Sequence, residues 1–589
     1  MNKRLKVIAI ASFIMLALAL LLAWNNPATG YELDIYASTP VQTWVLIVLA
    51  MLVGAGIIIQ QVVTRGYDTG RTWILGLFLL VLSRVAILSL PHIRGYFAFR
   101  GDNITHFGMV KDIISTGHFS DANFYPITHT LLSQVSSVTG ISQLTIFNLG
   151  TAFLSPFFFI FTYLLAKAVL PERGQQLAAV TVVTLLFPAV YVTPNNWSLF
   201  FLPLILFCYF KRTVPAYGFL LIILLVLYPF FHPLSSFMVI IALAVIEITK
   251  LVFVLLSRGK YSLSQFKFTL VPLFIEVIVF SMWILSFRLF DRNIRLLWQQ
   301  ITTFTTPDVL GGIGSTLEKI EMVGLDLVTL YIKLYGVQTI LIVFSLVALF
   351  FVIEQIRSHF SVERAPIFYL SAIFLFYGFL YLLYLLGLPG ASSWGGHRVL
   401  SYVLIFTPVL TGFGIYEIFR RFSFHKLVVG SITAIIVAGT ILAVLKVYPS
   451  PYITRPNPQV TQMEMTGMER FIEEKDVDVA QVNIMTELYR FADGVIGYVE
   501  REKRVDLKSR EQLSDHFAYE ENNSLGEQFP DDRYAIITSF DRLVYVTIWQ
   551  IVGRFNNADF ERLEKDPTVN RLYSNGEFDV YFISADVTQ

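Results

Sequence analysis

Residues 73–108 read "WILGLFLLVLSRVAILSLPHIRGYFAFRGDNITHFG". The first eighteen carry a single charge, Arg84, and a helix of that length crosses about 30 Å of hydrocarbon. About ten residues later the chain turns polar and presents Arg100, Asp102 and His106, together with the sugar-acceptor pattern Asn103-Ile104-Thr105. A membrane span followed by a reactive-looking loop is thus the unit to look for elsewhere.

Apolar runs of that length recur along the chain. The 589 residues are 55% hydrophobic and only 15% charged, against about 25% charged in soluble domains. Hydropathy places about 13 spans near 5–23, 43–63, 72–90, 142–168, 175–193, 197–210, 216–231, 235–257, 268–290, 337–357, 366–388, 399–419 and 427–448. The short pair 197–210 and 216–231 has a re-entrant hairpin as its alternative. Residues 5–23 lack a cleavage pattern and read as a retained helix. A net charge of +1 argues against a nucleic-acid partner, and the single cysteine, Cys208, excludes disulfides and cysteine metal clusters. No repeat of 20–50 residues is visible.

Charge sets the expected orientation. Lys3, Arg4 and Lys6 begin the chain, and every second loop is basic: Arg65 and Arg71, Lys167 and Arg173, Lys211 and Arg212, Arg258 with Lys260 and Lys267, Arg357 and Arg364, then Arg420, Arg421 and Lys426. The short loops between them hold only Arg398. Basic loops stay cytoplasmic. The N-terminus is therefore expected inside a plasma membrane, with loops 91–141 and 291–336 and everything after Tyr448 outside.

After the Pro-rich "YPSPYITRPNPQ" the composition changes. Strand-like runs at 479–485, 534–540 and 578–584, and helical patterns near 463–475 and 558–565, predict an outer α/β domain. Asn557 is the expected N-cap of the second helix, and Asn575-Gly576 signals a type I′ hairpin. The fold class is a polytopic α-helical membrane protein, 1–450, with an extracytoplasmic α/β domain, 451–589.

Six of nine histidines (His92, His106, His118, His129, His232 and His397) fall on outer loops or outer span ends. Polar groups at membrane depth are costly and tend to be functional. Asp102 and His106 are four apart, on one face of any helix that starts near Asp102, and Asp102 favours its positive end. Phe107, Val110, Ile113 and Ile114 then have the spacing of a helix lying on the membrane, stopped by Gly117. Arg398 suits a phosphate. Trp394 and the paired glycines beside it suit close packing or sugar stacking. "TPDVLGGIGST", 306–316, suggests a flexible cover. Arg84, Glu247 and Glu276 lie deeper and read as structural charges, although a carrier would use such groups for proton coupling.

The stretch "GDNITHFGMVKDIISTGHFSDANFYPITH", 101–129, resembles the first outer loop of the GT-C superfamily of integral-membrane glycosyltransferases. "SPYITRPNPQVTQMEMTGMERF" and "LEKDPTVNRLYSNGEFDVYFI" add to the likeness, in the order found in archaeal members similar to the protein-mannosyltransferase and aminoarabinose-transferase group. The resemblance implies a hexosyl- or pentosyltransferase with a polyprenyl-phosphate-linked sugar donor and a lipid-linked glycan or protein acceptor. It implies Asp102 as general base with His106 beside it. Arg398, His397, His232 and Arg292 would meet the donor phosphate; Trp394, His129 and Tyr125 would meet sugar or acceptor. Many members carry a second loop acid where this chain has Asn103, so a divalent metal is compatible with the sequence but not required by it. On this reading Asn103-Ile104-Thr105 lies in a loop that transfers sugar rather than receives it. The alternative is a transporter or lipid flippase, against which stands the lack of inverted repeats. An oligosaccharyltransferase lacks support because its Trp-Trp-Asp signature is missing, and an outer-domain scaffold would leave the polar loop without a role.

Overall fold

The computed structural model describes residues 3–256, 261–303, 326–359, 362–387 and 396–585. Among them, eight helices are long and apolar enough to cross a membrane, from Arg4–Trp24 to Lys426–Leu445. The count is nine if the pair Arg398–Ile405 and Thr407–Arg421, bent by 42°, is one span. The bend has a local cause. Pro408 cannot donate to the carbonyl of Leu404, and the Thr407 hydroxyl takes that carbonyl instead at 2.6 Å. Two further apolar helices, Pro215–Phe231 and Val271–Ile284, are shorter.

The run expected to span at 175–193 does not. It forms a ten-residue helix, Arg173–Val182, then a 3-10 turn, Val183–Leu185, then irregular chain. A helix ended within the bundle leaves carbonyls without partners. Arg84 answers them, donating to Val183 O at 2.8 Å and Leu186 O at 2.5 Å between the rings of Phe159 and Phe187. Hydropathy cannot register this, since it counts apolar residues and not backbone continuity. The other deep charges are also engaged. Glu247 pairs with Lys250 at 2.8 Å, and Glu276 accepts from Ser236 at 2.5 Å. Residues 197–210 and 216–231 form the helices Pro194–Lys211 and Pro215–Phe231.

The chain after the last span builds a sheet. Strands β3 (Ala480–Asn483), β4 (Arg533–Thr538), β5 (Val569–Ser574) and β6 (Phe578–Ile583) lie in the order β3-β4-β6-β5, with β3 parallel to β4 and the other pairs antiparallel. Alternation along β4 and β6 sends Ile536, Phe578 and Val580 to one apolar cluster and Ala535, Ile537, Tyr581 and Ile583 to another. Two sequence expectations shift by one residue. The N-cap of Asn557–Leu563 is Asn556, which forms a reciprocal box with Asp559. The hairpin turns on Gly576 and Glu577, with positive φ at Gly576 alone, so it lacks the two left-handed residues of a type I′ turn.

This sheet is tied to the first polar loop. Strand β1 (Ala98–Phe99) pairs antiparallel with β2 (Gln459–Val460). Ala98 and Ile104 join the apolar cluster under the sheet. Arg100, which the sequence leaves free near Asp102, is instead bound to Glu464 at 2.6 Å.

Candidate functional site

The helix expected after the first polar turn is present as Asp102–Thr116, ended by Gly117 at φ +80. It does not lie unaccompanied on a membrane surface. Phe107 and Val110 are buried, while Ile114 is exposed. The helix packs against Leu488–Ile496 of the C-terminal segment and against Pro126–Thr139. Gly108 makes the first contact possible, since a Cβ there would stand 2.2 Å from the carbonyl oxygen of Asp493. Asp493 in turn accepts from the Thr105 hydroxyl at 2.6 Å and from Arg501 at 2.5 Å.

That docking brings an unforeseen residue to Asp102. Arg490 donates to Asp102 Oδ1 at 2.5 Å and also binds Glu487. The Asp102 side chain is 65% exposed, so its second oxygen stays open. Nothing local marks Arg490. It lies in an ordinary helix, 388 residues from its partner.

His106 faces inward. Its Nδ1 lies 3.0 Å from His129 Nε2, and His129 Nδ1 lies 3.0 Å from Asn123 Nδ2. Burial pushes His106 down to about 4 and His129 well below its usual value, so both rings are neutral at pH 7. Among the described residues Asp102 is paired with Arg490 and not with His106. Tyr125 packs on both rings, 5.7 Å from His106 and 5.9 Å from His129, and stacks on His232 at 5.9 Å and 19°. Burial, with Asp102 nearby, pushes the Tyr125 hydroxyl up to about 12. His232 is driven down to about 3 by burial and by the charge of Arg398. Its Nδ1 is buried without a protein partner among the described residues.

Asp102, His106, Tyr125, His129, His232 and Arg398 thus converge. Arg398 is exposed, near enough to act on Tyr125 and His232. Arg292 is not joined to the cluster among the described residues; it is exposed on the helix Arg288–Thr303. His397 lies in the helix Gly396–Ile405. Trp394 and the glycine-rich 306–316 fall outside the described residues. The Asn123 link was missed, although an Asn two residues before a turn amide is a recognisable signal.

Asn103 stands where a second acid would be, and it is turned away. Its Oδ1 accepts from Phe99 N at 3.2 Å and its Nδ2 donates to Val192 O at 3.4 Å. Buried in this way it cannot carry a glycan. It also leaves Asp102 a lone carboxylate already paired with Arg490, a poor set of donors for a divalent cation. Among the described residues no group of three or more His, Cys, Asp or Glu side chains could hold a metal.

No family model matches the chain, and no curated protein does. Among solved structures it is similar to ArnT from Cupriavidus metallidurans bound to undecaprenyl phosphate, at 9% identity and a TM-score of 0.46, over 87% of this chain and 98% of that one.

Proposed function

We propose that the protein is a membrane glycosyltransferase that moves a sugar from a polyprenyl-phosphate-linked donor to a hydroxyl-bearing acceptor, a lipid-linked glycan or a protein. The observation that carries this reading is the open carboxylate of Asp102, held at a helix N-terminus by Arg490, beside neutral histidines, Tyr125 and the exposed Arg398. A general base needs a free oxygen and a fixed direction. Arg490 takes Oδ1, and Oδ2 is left for the acceptor.

In the step, Asp102 Oδ2 takes the proton of the acceptor hydroxyl. The acceptor oxygen bonds to the anomeric carbon as the bond from that carbon to the phosphate oxygen breaks. The electron pair leaves with polyprenyl phosphate, and the configuration inverts. Arg398 stabilises the departing phosphate. His232, at the C-terminal end of the helix Pro215–Phe231, and His397, next to Arg398 in the helix Gly396–Ile405, would complete the phosphate site. Tyr125 would border the sugar, with His129 packed against it. No step is assigned to a metal.

The basic-loop pattern supports placing the N-terminus in the cytoplasm and this site outside, with 1–450 as the membrane part and 451–589 as the outer domain that supplies Arg490. A carrier remains the competing function, and no contact in the site favours it. The test is sugar transfer by purified protein in nanodiscs from a polyprenyl-phosphate sugar. Asp102→Asn should abolish release of polyprenyl phosphate while the protein still inserts and unfolds normally. Full release by that variant would end the assignment.

A further inference from the structure

Three buried side chains form a ladder whose chemistry has one direction. The backbone N–H of Tyr125 donates to Asn123 Oδ1 at 3.3 Å. The other end of that amide, Nδ2, is therefore the one 3.0 Å from His129 Nδ1. An amide nitrogen only donates, so His129 Nδ1 must carry a lone pair. In a neutral imidazole the proton then sits on Nε2. His129 Nε2 lies 3.0 Å from His106 Nδ1, which must accept in its turn. The proton of His106 is left on Nε2.

That nitrogen has no protein partner among the described residues. Across Tyr125, His232 stacks with its buried Nδ1 equally without one. Both rings pack against Tyr125, so two imidazole nitrogens without a partner among the described residues, one of them a donor, lie about one aromatic ring, and a polar ligand there would satisfy them. Both rings of the ladder are neutral because they are buried.

We infer that Asn123, acting through His129, fixes the tautomer in which His106 presents Nε2–H, a neutral hydrogen-bond donor aimed at an anionic oxygen of the substrate. Asn123 and His129 are positioning residues. His106 is the group that touches the ligand, and it works as a donor rather than as an acid or base. The inference rests on the proposed transferase only for the ligand class, a phosphate-bearing lipid.

The experiment is 15N NMR of histidine-labelled full-length protein in nanodiscs, with His106→Gln and His129→Gln assigning the signals. The wild type should show both rings neutral at pH 7 with protons on Nε2. Asn123→Asp supplies an acceptor where the amide donated and should reverse both rings. Asn123→Leu removes the constraint and should give a mixture. Polyprenyl phosphate should bind Asn123→Asp at least about tenfold more weakly, since a lone pair now faces the anion. A wild-type His106 protonated on Nδ1, an unchanged spectrum in Asn123→Asp, or unchanged lipid affinity would overturn the inference. The expected spectra and affinities without any sugar transfer would leave it standing and sink the transferase reading alone.

Discussion

Replacing Gly108 by Ala separates position from stability. An added Cβ would stand 2.2 Å from the Asp493 carbonyl oxygen and 2.6 Å from its carbon. A carbon–oxygen contact needs about 3.3 Å, so one helix must withdraw by roughly 1 Å. Backbone cannot rotate aside as a side chain can. The helix that moves, Leu488–Ile496, carries Arg490, and its 2.5 Å bond to Asp102 would open to about 3.5 Å, beyond hydrogen-bonding range. Overpacking costs about 1–3 kcal/mol, but Ala in place of Gly inside a helix returns about 1 kcal/mol. The net loss of stability is about 0–2 kcal/mol. Misplacing a catalytic contact by 1 Å costs about 100-fold in rate.

Gly108→Ala should therefore keep a nearly wild-type Tm in detergent while transfer falls by about two orders of magnitude. Hydrogen exchange should rise in 488–496, a readout that needs no substrate. Gly494→Ala is the graded control. Its Cβ would meet Ile104 Cγ2 at 2.6 Å but no backbone atom nearer than 3.9 Å, so a side chain rather than a main chain must shift and it should cost less. Gly56→Ala meets nothing within 4 Å and should be neutral or stabilising. Wild-type turnover and unchanged exchange in Gly108→Ala would refute the claim that this glycine contact sets the site.

Two further outcomes follow from the charges. Arg490→Ala should lower turnover and leave polyprenyl-phosphate affinity unchanged, whereas Arg398→Ala should weaken that affinity first; the reverse assignment in titrations would exchange their roles. His106 has its pKa lowered to about 4 by burial, so the unfolded chain binds the proton more readily. Its contribution to stability is intact above the unfolded value near 6.5 and is lost as pH falls from there toward 4. Tm should drop over that window, and His106→Gln should flatten part of the drop; parallel Tm curves for the two proteins would contradict it.

What the sequence discloses here divides along physical lines. Asp102, His106, Tyr125, His129 and His232 are legible because polar residues at span ends stand out against an apolar background, and Arg398 because the short outer loops carry no other basic residue. A helix from Asp102 to Gly117 is legible from local rules, namely a 3.6-residue period, an acid at the positive end and a glycine stop. What such rules cannot supply is the neighbour that covers a face. Phe107 and Val110 have the same spacing whether they meet lipid or protein. Only the close approach at Gly108, itself silent in the sequence, decides for protein and brings Arg490 to Asp102. The same limit explains Arg84. A lone arginine in an apolar run reads as a membrane charge, and its role appears only when the helix after Arg173 stops early and leaves carbonyls to be met. The histidine ladder follows this logic one step further. Charge state depends on burial and tautomer on direction of donation, and that direction is set by Asn123, a residue with no mark of function. The chemistry at Asp102 and His106 is therefore local in residue type but non-local in protonation and aim, and variants at Asn123, Gly108 and Arg490 are where those two can be told apart.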